Sequence, residues 1–92
     1  MKRHHQVYIY TSHDCKMCEL TKNFFRDAGI EFIEIDITHD KNAEIKMLEI
    51  SNQNDTPVVE IDGRAISGYH PEIYETILSR DREREKDRDK KD

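Results

Sequence analysis

Residues 7–18 read VYIYTSHDCKMC: a short β-prone run, a polar turn, and two cysteines separated by two residues. The β-prone run has the length and composition of a buried strand, and the polar residues after it predict a turn. Apolar residues then recur at helical spacing, at Leu20, Phe24, Phe25 and Ala28. Gly29 provides a stop, so Cys15 is predicted to open a helix directly after the turn.

The rest of the chain continues this alternation of strands and helices. Residues 31–37 (EFIEIDI) predict a second strand, and a strand reached after a helix is most simply parallel to the first. Asp40 can cap the helix that follows. We expect this helix to make its apolar contacts through Ile45, Leu48 and Ile50, with Ala43 and Met47 as further contacts.

Two short strands and a helix complete the pattern. Residues 58–61 and 64–67 flank Asp62-Gly63, a strong signal for a two-residue hairpin turn, so this pair is predicted to be antiparallel. Pro71 fits the first turn of a last helix. The predicted buried side of that helix carries Ile73, Ile77 and Leu78, with Tyr74 beside them. The order βαβαββα predicts an α/β fold with a four-stranded mixed sheet flanked by three helices.

Charge divides the chain into two segments. Every residue from 80 to 92 is Arg, Lys, Asp or Glu, seven basic and six acidic. Of the 15 basic and 20 acidic residues in the chain, residues 1–79 therefore contain 8 and 14. We predict one folded domain, residues 1–79, with a net charge of −6, and a charged C-terminal tail, residues 80–92, that is a frayed helix or disordered.

The same charge pattern excludes some functions. A nucleic-acid surface needs a clustered basic face, which an acidic body does not offer. No apolar run approaches the roughly 18–20 residues that cross a bilayer, and residues 1–6 lead into the first strand without a cleavable signal pattern. We therefore expect a cytoplasmic protein that binds neither nucleic acid nor membrane. In a reducing compartment, a lone cysteine pair is more often reactive or metal-binding than a permanent bridge.

The cysteine pair has the spacing of a redox-active dithiol. A cysteine at a helix start lies beside unpaired backbone N–H groups and the positive end of the helix dipole, so Cys15 is the predicted nucleophile. Cys18 lies one turn further along the same face, where it can attack a mixed disulfide on Cys15. Lys16 should lower the pKa of Cys15, Asp14 should raise it, and His13 is a third candidate for tuning it.

Three other interpretations of the cysteine pair are open. The pair could be half of a zinc site, but structural zinc usually takes four ligands. The chain has two cysteines, and its five histidines show no paired metal spacing beyond the adjacent His4-His5. The cysteines could also be buried and inert, or form a structural disulfide. Their placement between a strand and a helix start favours redox chemistry, so we assign no metal ligand.

With the dithiol, the βαβαββα order and the segment Thr56-Pro57-Val58-Val59, residues 6–79 resemble the glutaredoxin branch of the thioredoxin fold. In that family the proline at the position of Pro57 is a cis-proline that faces the dithiol. The backbone beside it pairs with an extended client segment or with glutathione. The resemblance implies that Pro57 is cis and that Thr56 supplies those backbone hydrogen bonds.

Within this branch the sequence is most similar to the NrdH-type redoxins. Asp14 directly before Cys15 matches their pattern, and residues 67–72 (SGYHPE) resemble their Ser-Gly-Phe-x-Pro-Asp segment. The lysine that glutaredoxins often place before the active-site turn is Ser12 here, and their acidic pair is replaced by Pro71-Glu72, so glutathione binding should be weak. The residues expected to contact the substrate are Thr56, Pro57, Gly68 and Tyr69.

The resemblance implies a dithiol-disulfide oxidoreductase that reduces protein disulfides through Cys15 and Cys18. Redoxins of this type are usually reduced by NADPH through thioredoxin reductase, a flavoprotein, and donate electrons to ribonucleotide reductase. We therefore expect no bound cofactor, a flavoprotein reductase and a disulfide-containing client as partners, and a monomer. Two alternatives stay open: a glutathione-dependent glutaredoxin, and a non-enzymatic module that holds an iron–sulfur cluster or a metal.

Overall fold

The computed structural model describes residues 5–79, and its elements follow the predicted order. The strands are β1 (Val7–Thr11), β2 (Ile33–Asp36), β3 (Val58–Ile61) and β4 (Arg64–Ser67). The helices are α1 (Lys16–Asp27), α2 (Lys41–Ser51) and α3, which is helical from residue 71 to residue 79, where the described residues end. The predicted charged tail, residues 80–92, lies outside the described residues. Between residues 5 and 79, no helix is both long enough and apolar enough to cross a membrane.

The four strands form one mixed sheet in the order β2-β1-β3-β4. β1 and β2 are parallel, whereas β3 is antiparallel to β1, and β4 is antiparallel to β3. Asp62 and Gly63 both have positive φ, 50° and 90°, as a two-residue turn between two right-twisted strands requires. The prediction of a four-stranded mixed sheet flanked by three helices is confirmed.

Helices cover both faces of the sheet, because successive residues of a strand point to opposite faces. One face packs against α1 and α3, and its core contains Val7, Ile9, Phe25, Val59, Ile61, Tyr74 and Leu78. The other face packs against α2, and its core contains Tyr10, Ile37, Met47 and Val58. The two central strands, β1 and β3, are therefore held from both sides, which fixes the positions of the loops at their ends.

The buried side of α2 differs from the prediction. Ile45 and Leu48 are each 47% exposed, whereas Met47 is fully buried. Ala43 and Ile50 pack against the same cluster as Met47, since residues three and four positions apart share a helix face. A helix on one face of a sheet buries a single stripe. The choice of Ile45 and Leu48 as the principal apolar contacts is therefore wrong.

The buried stripes of α3 and α1 also differ from a purely apolar pattern. Tyr74 and Leu78, four residues apart, form the buried stripe of α3, and Ile73 beside them is 38% exposed. The prediction that Ile73 is buried is therefore wrong, because the sheet is covered by the stripe that contains Tyr74 and Leu78.

The inward face of α1 carries Cys18, Thr21, Lys22 and Phe25. Polar side chains therefore occupy part of the face that α1 turns toward the sheet.

Candidate active site

The register of the sheet brings three segments together at one end. It pairs the carboxyl end of β1 with the start of β3, and the start of β3 with the end of β4. The residues that follow β1, precede β3 and follow β4 therefore lie side by side. Gly68, after β4, donates its N–H to the carbonyl oxygen of Pro57, before β3, at 2.8 Å. The two cysteines follow β1 at this same end.

Cys15 and Cys18 form a disulfide at the start of α1, with their Cα atoms 5.2 Å apart. Cys15 is the N-cap residue of α1, and its Sγ accepts a hydrogen bond from the Cys18 backbone N–H at 3.1 Å. Cys15 is partly exposed, whereas Cys18 is 1% exposed. A large substrate can therefore approach the sulfur of Cys15 but not that of Cys18.

The three residues predicted to tune Cys15 are all exposed. Asp14 and Lys16 flank Cys15 in the chain, and Asp14 has a left-handed φ of 55° where the chain turns into the helix. His13 packs toward the segment that follows β2. Its ring lies edge-on to that of His39, with 6.2 Å between the centroids. That these three residues tune the thiolate stays a prediction.

The Thr56–Pro57 peptide bond is cis, as the resemblance to glutaredoxins implies. The hydroxyl oxygens of Thr56 and Ser12 lie 2.6 Å apart, a hydrogen bond that joins the segment before β3 to the loop between β1 and α1. Gly68 has a φ of 85°, which glycine adopts at little steric cost. Thr56, Pro57 and Gly68, three of the residues predicted to contact the substrate, thus lie at the end of the sheet that carries the dithiol.

A buried phenol supports the turn that follows β4. Tyr74 of α3 is fully buried, and its hydroxyl donates to the carbonyl oxygen of Gly68 at 2.8 Å. Burial raises the pKa of Tyr74 above its usual value, so the hydroxyl remains a donor at neutral pH. Tyr69, the fourth predicted substrate contact, is partly buried, and its ring centroid lies 6.4 Å from that of Tyr74. Sequence reasoning placed Tyr74 beside the buried side of α3 and missed its polar contact, which a tyrosine next to an apolar stripe could have indicated.

A buried lysine lies on the face of α1 that carries Cys18. Lys22, four residues after Cys18, is 8% exposed, and its Nζ lies 3.0 Å from Glu19 Oε2 and 3.1 Å from Glu34 Oε2. The same Glu34 oxygen accepts a hydrogen bond from the Thr11 hydroxyl at 2.8 Å. The hydrogen bond to Glu19 and that to Glu34 raise the pKa of Lys22, although burial acts in the opposite direction. Sequence reasoning missed this cluster; its signal is a lysine at the i+4 position from Cys18.

The metal-ligating residue types are scattered over the described part of the chain. Within residues 5–79, no three His, Cys, Asp or Glu side chains form a group that could hold a metal ion. His4, the first of the two adjacent histidines, lies outside the described residues. The two sulfurs are bonded to each other.

Comparison with known proteins identifies this arrangement. Residues 7–66 match the family model of glutaredoxins. The chain belongs to the glutaredoxin family. An uncharacterised glutaredoxin-like 8.6 kDa protein in the rubredoxin operon of Clostridium pasteurianum is 26% identical over 74 residues, which cover 80% of this glutaredoxin and 99% of the relative.

Solved structures extend the comparison to three dimensions. The glutaredoxin of Archaeoglobus fulgidus is 26% identical, with a TM-score of 0.73 over 79% of this chain and 85% of that one. The NrdH-redoxin of Escherichia coli is 28% identical, with a TM-score of 0.66 over 74% and 88% of the two chains. The predicted thioredoxin fold and the resemblance to glutaredoxins and NrdH-redoxins are confirmed.

The family, the fold and the cysteine pair together establish the activity. This glutaredoxin is a thiol-disulfide oxidoreductase whose redox-active group is the pair Cys15 and Cys18. Glutaredoxins and NrdH-like proteins generally act on disulfide clients and are reduced by a reductase or by glutathione.

Proposed function

We propose that this glutaredoxin reduces disulfides in client proteins, with Cys15 as the nucleophile and Cys18 as the resolving thiol. These two roles are assigned from the difference in exposure between the cysteines: Cys15 is partly exposed, whereas Cys18 is 1% exposed. A disulfide on the surface of a client protein can therefore approach Cys15 alone. The Cys18 N–H, 3.1 Å from Cys15 Sγ, and the positive end of α1 both favour a thiolate on Cys15 in the reduced state.

The reaction consists of two thiol–disulfide exchanges. The Cys15 thiolate attacks one sulfur of the client disulfide, forms a mixed disulfide and releases the other client sulfur as a thiolate. The deprotonated Cys18 then attacks the Cys15 sulfur, which breaks the mixed disulfide and releases the second client thiolate. Two electrons pass to the client, and the protein ends with the Cys15–Cys18 disulfide seen in the structure.

The client segment is proposed to lie along the Thr56–Pro57 peptide and the turn at Gly68. The Pro57 side chain is fully buried, whereas Thr56 before it is partly exposed, so an extended segment would gain affinity from backbone hydrogen bonds to Thr56. Because the Thr56 hydroxyl is bonded to Ser12, we assign recognition at this position to the backbone of Thr56. Gly68 has no side chain, which lets a client backbone approach closely, and Tyr69 borders the same turn.

NADPH, acting through a thioredoxin reductase, is the electron source that we assign in preference to glutathione. Glutathione carries two carboxylates, which need cationic or N–H partners. Ser12 replaces the lysine that is common in glutaredoxins, and its hydroxyl is bonded to Thr56 at 2.6 Å. Pro71-Glu72 stands where glutaredoxins carry an acidic pair, and Pro71 has no backbone N–H to donate to a carboxylate. The E. coli NrdH-redoxin, described as having a thioredoxin-like activity profile, supports the same choice.

Two consequences follow for partners and cofactors. With electrons delivered by a separate flavoprotein reductase, this glutaredoxin itself needs no bound cofactor. Its client is a protein that contains a disulfide. From the resemblance to NrdH-type redoxins, we assign ribonucleotide reductase as this client.

The electron donor is tested by following the reduction of insulin disulfides. One reaction contains NADPH and thioredoxin reductase, and a second contains NADPH, glutathione and glutathione reductase. We expect turnover in the first reaction and at least about tenfold less in the second, since the proposed site offers glutathione few charged partners. Turnover with glutathione alone would contradict the assignment of the donor while leaving protein disulfide reduction intact.

The order of the two cysteines is tested with single serine variants. Cys15→Ser should abolish insulin reduction, because the accessible sulfur is lost. Cys18→Ser should still attack a disulfide but should accumulate as a mixed disulfide, visible as a mass increase that dithiothreitol reverses. An active Cys15→Ser variant, or a mixed disulfide that forms on Cys18 rather than Cys15, would reverse the assigned roles.

A further inference from the structure

A chain of two hydrogen bonds links α3 to the cis-proline segment. The Tyr74 hydroxyl donates to the carbonyl oxygen of Gly68 at 2.8 Å, and the N–H of Gly68 donates to the carbonyl oxygen of Pro57 at 2.8 Å. Both peptide groups that flank the α-carbon of Gly68 are thus held, one by the phenol and one by Pro57. Tyr74 is fully buried, so its hydrogen bond to the Gly68 carbonyl is shielded from water.

The same phenol also contacts the helix that carries the dithiol. The Tyr74 ring packs against the rings of Phe24 and Phe25 of α1, and on the same helix the Thr21 hydroxyl donates to the carbonyl oxygen of Met17 at 2.7 Å. Thr21 is fully buried and follows Cys18 by three residues on the inward face of α1. The phenol therefore lies between the helix that carries both cysteines and the turn at Gly68.

The hydroxyl of Tyr74 is not needed to fill space in the core. The Tyr74 ring packs against the rings of Phe24 and Phe25, with centroids 5.4 Å and 5.2 Å away, and a phenylalanine would keep both contacts. A hydroxyl in such surroundings costs free energy unless it is hydrogen-bonded. Its contribution is the fixed position of Gly68, which has no side chain of its own to anchor the turn.

We propose that Tyr74 is a positioning residue that holds the turn at Gly68 and the carbonyl of Pro57 against the start of α1, so that an extended client segment docks with its disulfide at Cys15. This inference rests on the proposed function. It predicts that the Tyr74 hydroxyl contributes to the binding of protein clients and not to the sulfur chemistry, because the phenol is fully buried and acts through its hydrogen bond to the Gly68 carbonyl. A small disulfide, which reaches Cys15 without docking along Pro57, should not depend on it.

Tyr74→Phe removes the hydroxyl and retains the ring. Tyr10→Phe is a matched control, since Tyr10 is also buried but packs in the cluster on the other face of the sheet. For Tyr74→Phe we expect the KM for insulin to rise roughly three- to tenfold, the effect of one neutral hydrogen bond, with kcat within twofold of wild type. The rate with 2-hydroxyethyl disulfide should be unchanged, and Tyr10→Phe should leave both substrates unaffected.

Amide hydrogen exchange reports on the same hydrogen-bond chain without any substrate. In Tyr74→Phe the Gly68 amide should exchange at least several-fold faster than in wild type, while the amides of β1 keep their protection. An unchanged KM for insulin, an unchanged Gly68 amide, or an equal loss of rate with insulin and with 2-hydroxyethyl disulfide would each overturn the inference. If wild type itself fails to reduce insulin, the proposed function fails, whereas Gly68 exchange still tests the contact.

Discussion

Replacing Glu34 with alanine should destabilise the protein more than replacing the lysine that Glu34 binds. The Lys22 side chain is 11% exposed, and its ammonium group contacts the carboxylates of Glu19 and Glu34 at 3.0 and 3.1 Å. Glu34 also accepts the hydrogen bond of the buried Thr11 hydroxyl. In Glu34→Ala, a nearly buried ammonium therefore keeps only Glu19, whose side chain is 64% exposed, and Thr11 loses its acceptor.

The expected size of the effect follows from these contacts. A hydrogen bond to a charged group contributes about 1.5–3 kcal/mol, and we take the lower end because the Glu34 side chain is 37% exposed. The Thr11 hydroxyl adds about 0.5 kcal/mol, so Glu34→Ala should lower the free energy of unfolding by about 2 kcal/mol. Lys22→Met keeps the aliphatic stem and leaves two carboxylates that face water. Its cost should be below about 1 kcal/mol, since apolar replacement of a buried charge is often nearly neutral.

Urea unfolding of the oxidised proteins at pH 7 measures both changes, with an unchanged m-value as the sign that the unfolded state is unaltered. In the Lys22→Met background, Glu34→Ala should cost less than about 1 kcal/mol, because the buried charge is gone. If Lys22→Met destabilises as much as Glu34→Ala does, or if the two changes are additive, the contact does not act as a buried ion pair.

The pH dependence of the Lys22 contact has a definite sign. Hydrogen bonds to Glu19 and Glu34 raise the pKa of Lys22 above 10.5, so the folded state holds this proton more tightly than the unfolded chain does. The stabilisation is therefore complete below about pH 10.5 and declines as the pH rises through the raised value. The difference in stability between wild type and Glu34→Ala should persist from pH 7 to pH 9 and shrink in stronger alkali.

Two further predictions concern α2 and the turn at Gly68. Met47→Ala should destabilise the protein by about 2–5 kcal/mol in urea unfolding, because Met47 is fully buried. Leu48→Ala should cost under about 1 kcal/mol, because Leu48 is 47% exposed. Similar costs for the two variants would refute the packing of α2 described above. Gly68→Ala should cost about 1–3 kcal/mol in thermal unfolding and raise the KM for insulin, because the residue has a φ of 85° and an added Cβ would lie 3.2 Å from His70 Nε2. A variant with unchanged stability and kinetics would show that the turn tolerates a side chain.

The parts of the fold that could be predicted from the sequence depend on residues close together in the chain. Asp40 caps α2 by accepting a hydrogen bond from the Ala43 N–H at 3.1 Å, which its position before the helix indicates. Asp62 and Gly63 form the predicted turn because both tolerate positive φ. The position of Cys15 at the start of α1 follows from the same kind of local signal. The cis state of Pro57 came instead from the family resemblance, since the residues alone do not determine it.

The side of a helix that packs on the sheet was harder to predict, because it depends on which of two apolar stripes the tertiary structure selects. In α2 the sequence offers Ile45 and Leu48 on one side and Met47 with its neighbours on another. The sheet takes Met47, which is fully buried and packs in one cluster with Tyr10 and Val58.

The polar contacts of the site could be predicted only in part, because a buried polar side chain shows that it needs a partner without showing which one. Lys22 on the inward face of α1 and Tyr74 in the stripe of α3 both carry this signal. Their partners, Glu34 and Gly68, are defined by the pairing of strands and by the turn after β4. The first contact joins α1 to β2, and the second joins α3 to the turn after β4. We infer that the departures from a simple apolar core serve to hold the dithiol helix and the client-facing turn in a fixed relation, which is the geometry that the Tyr74→Phe kinetics measure.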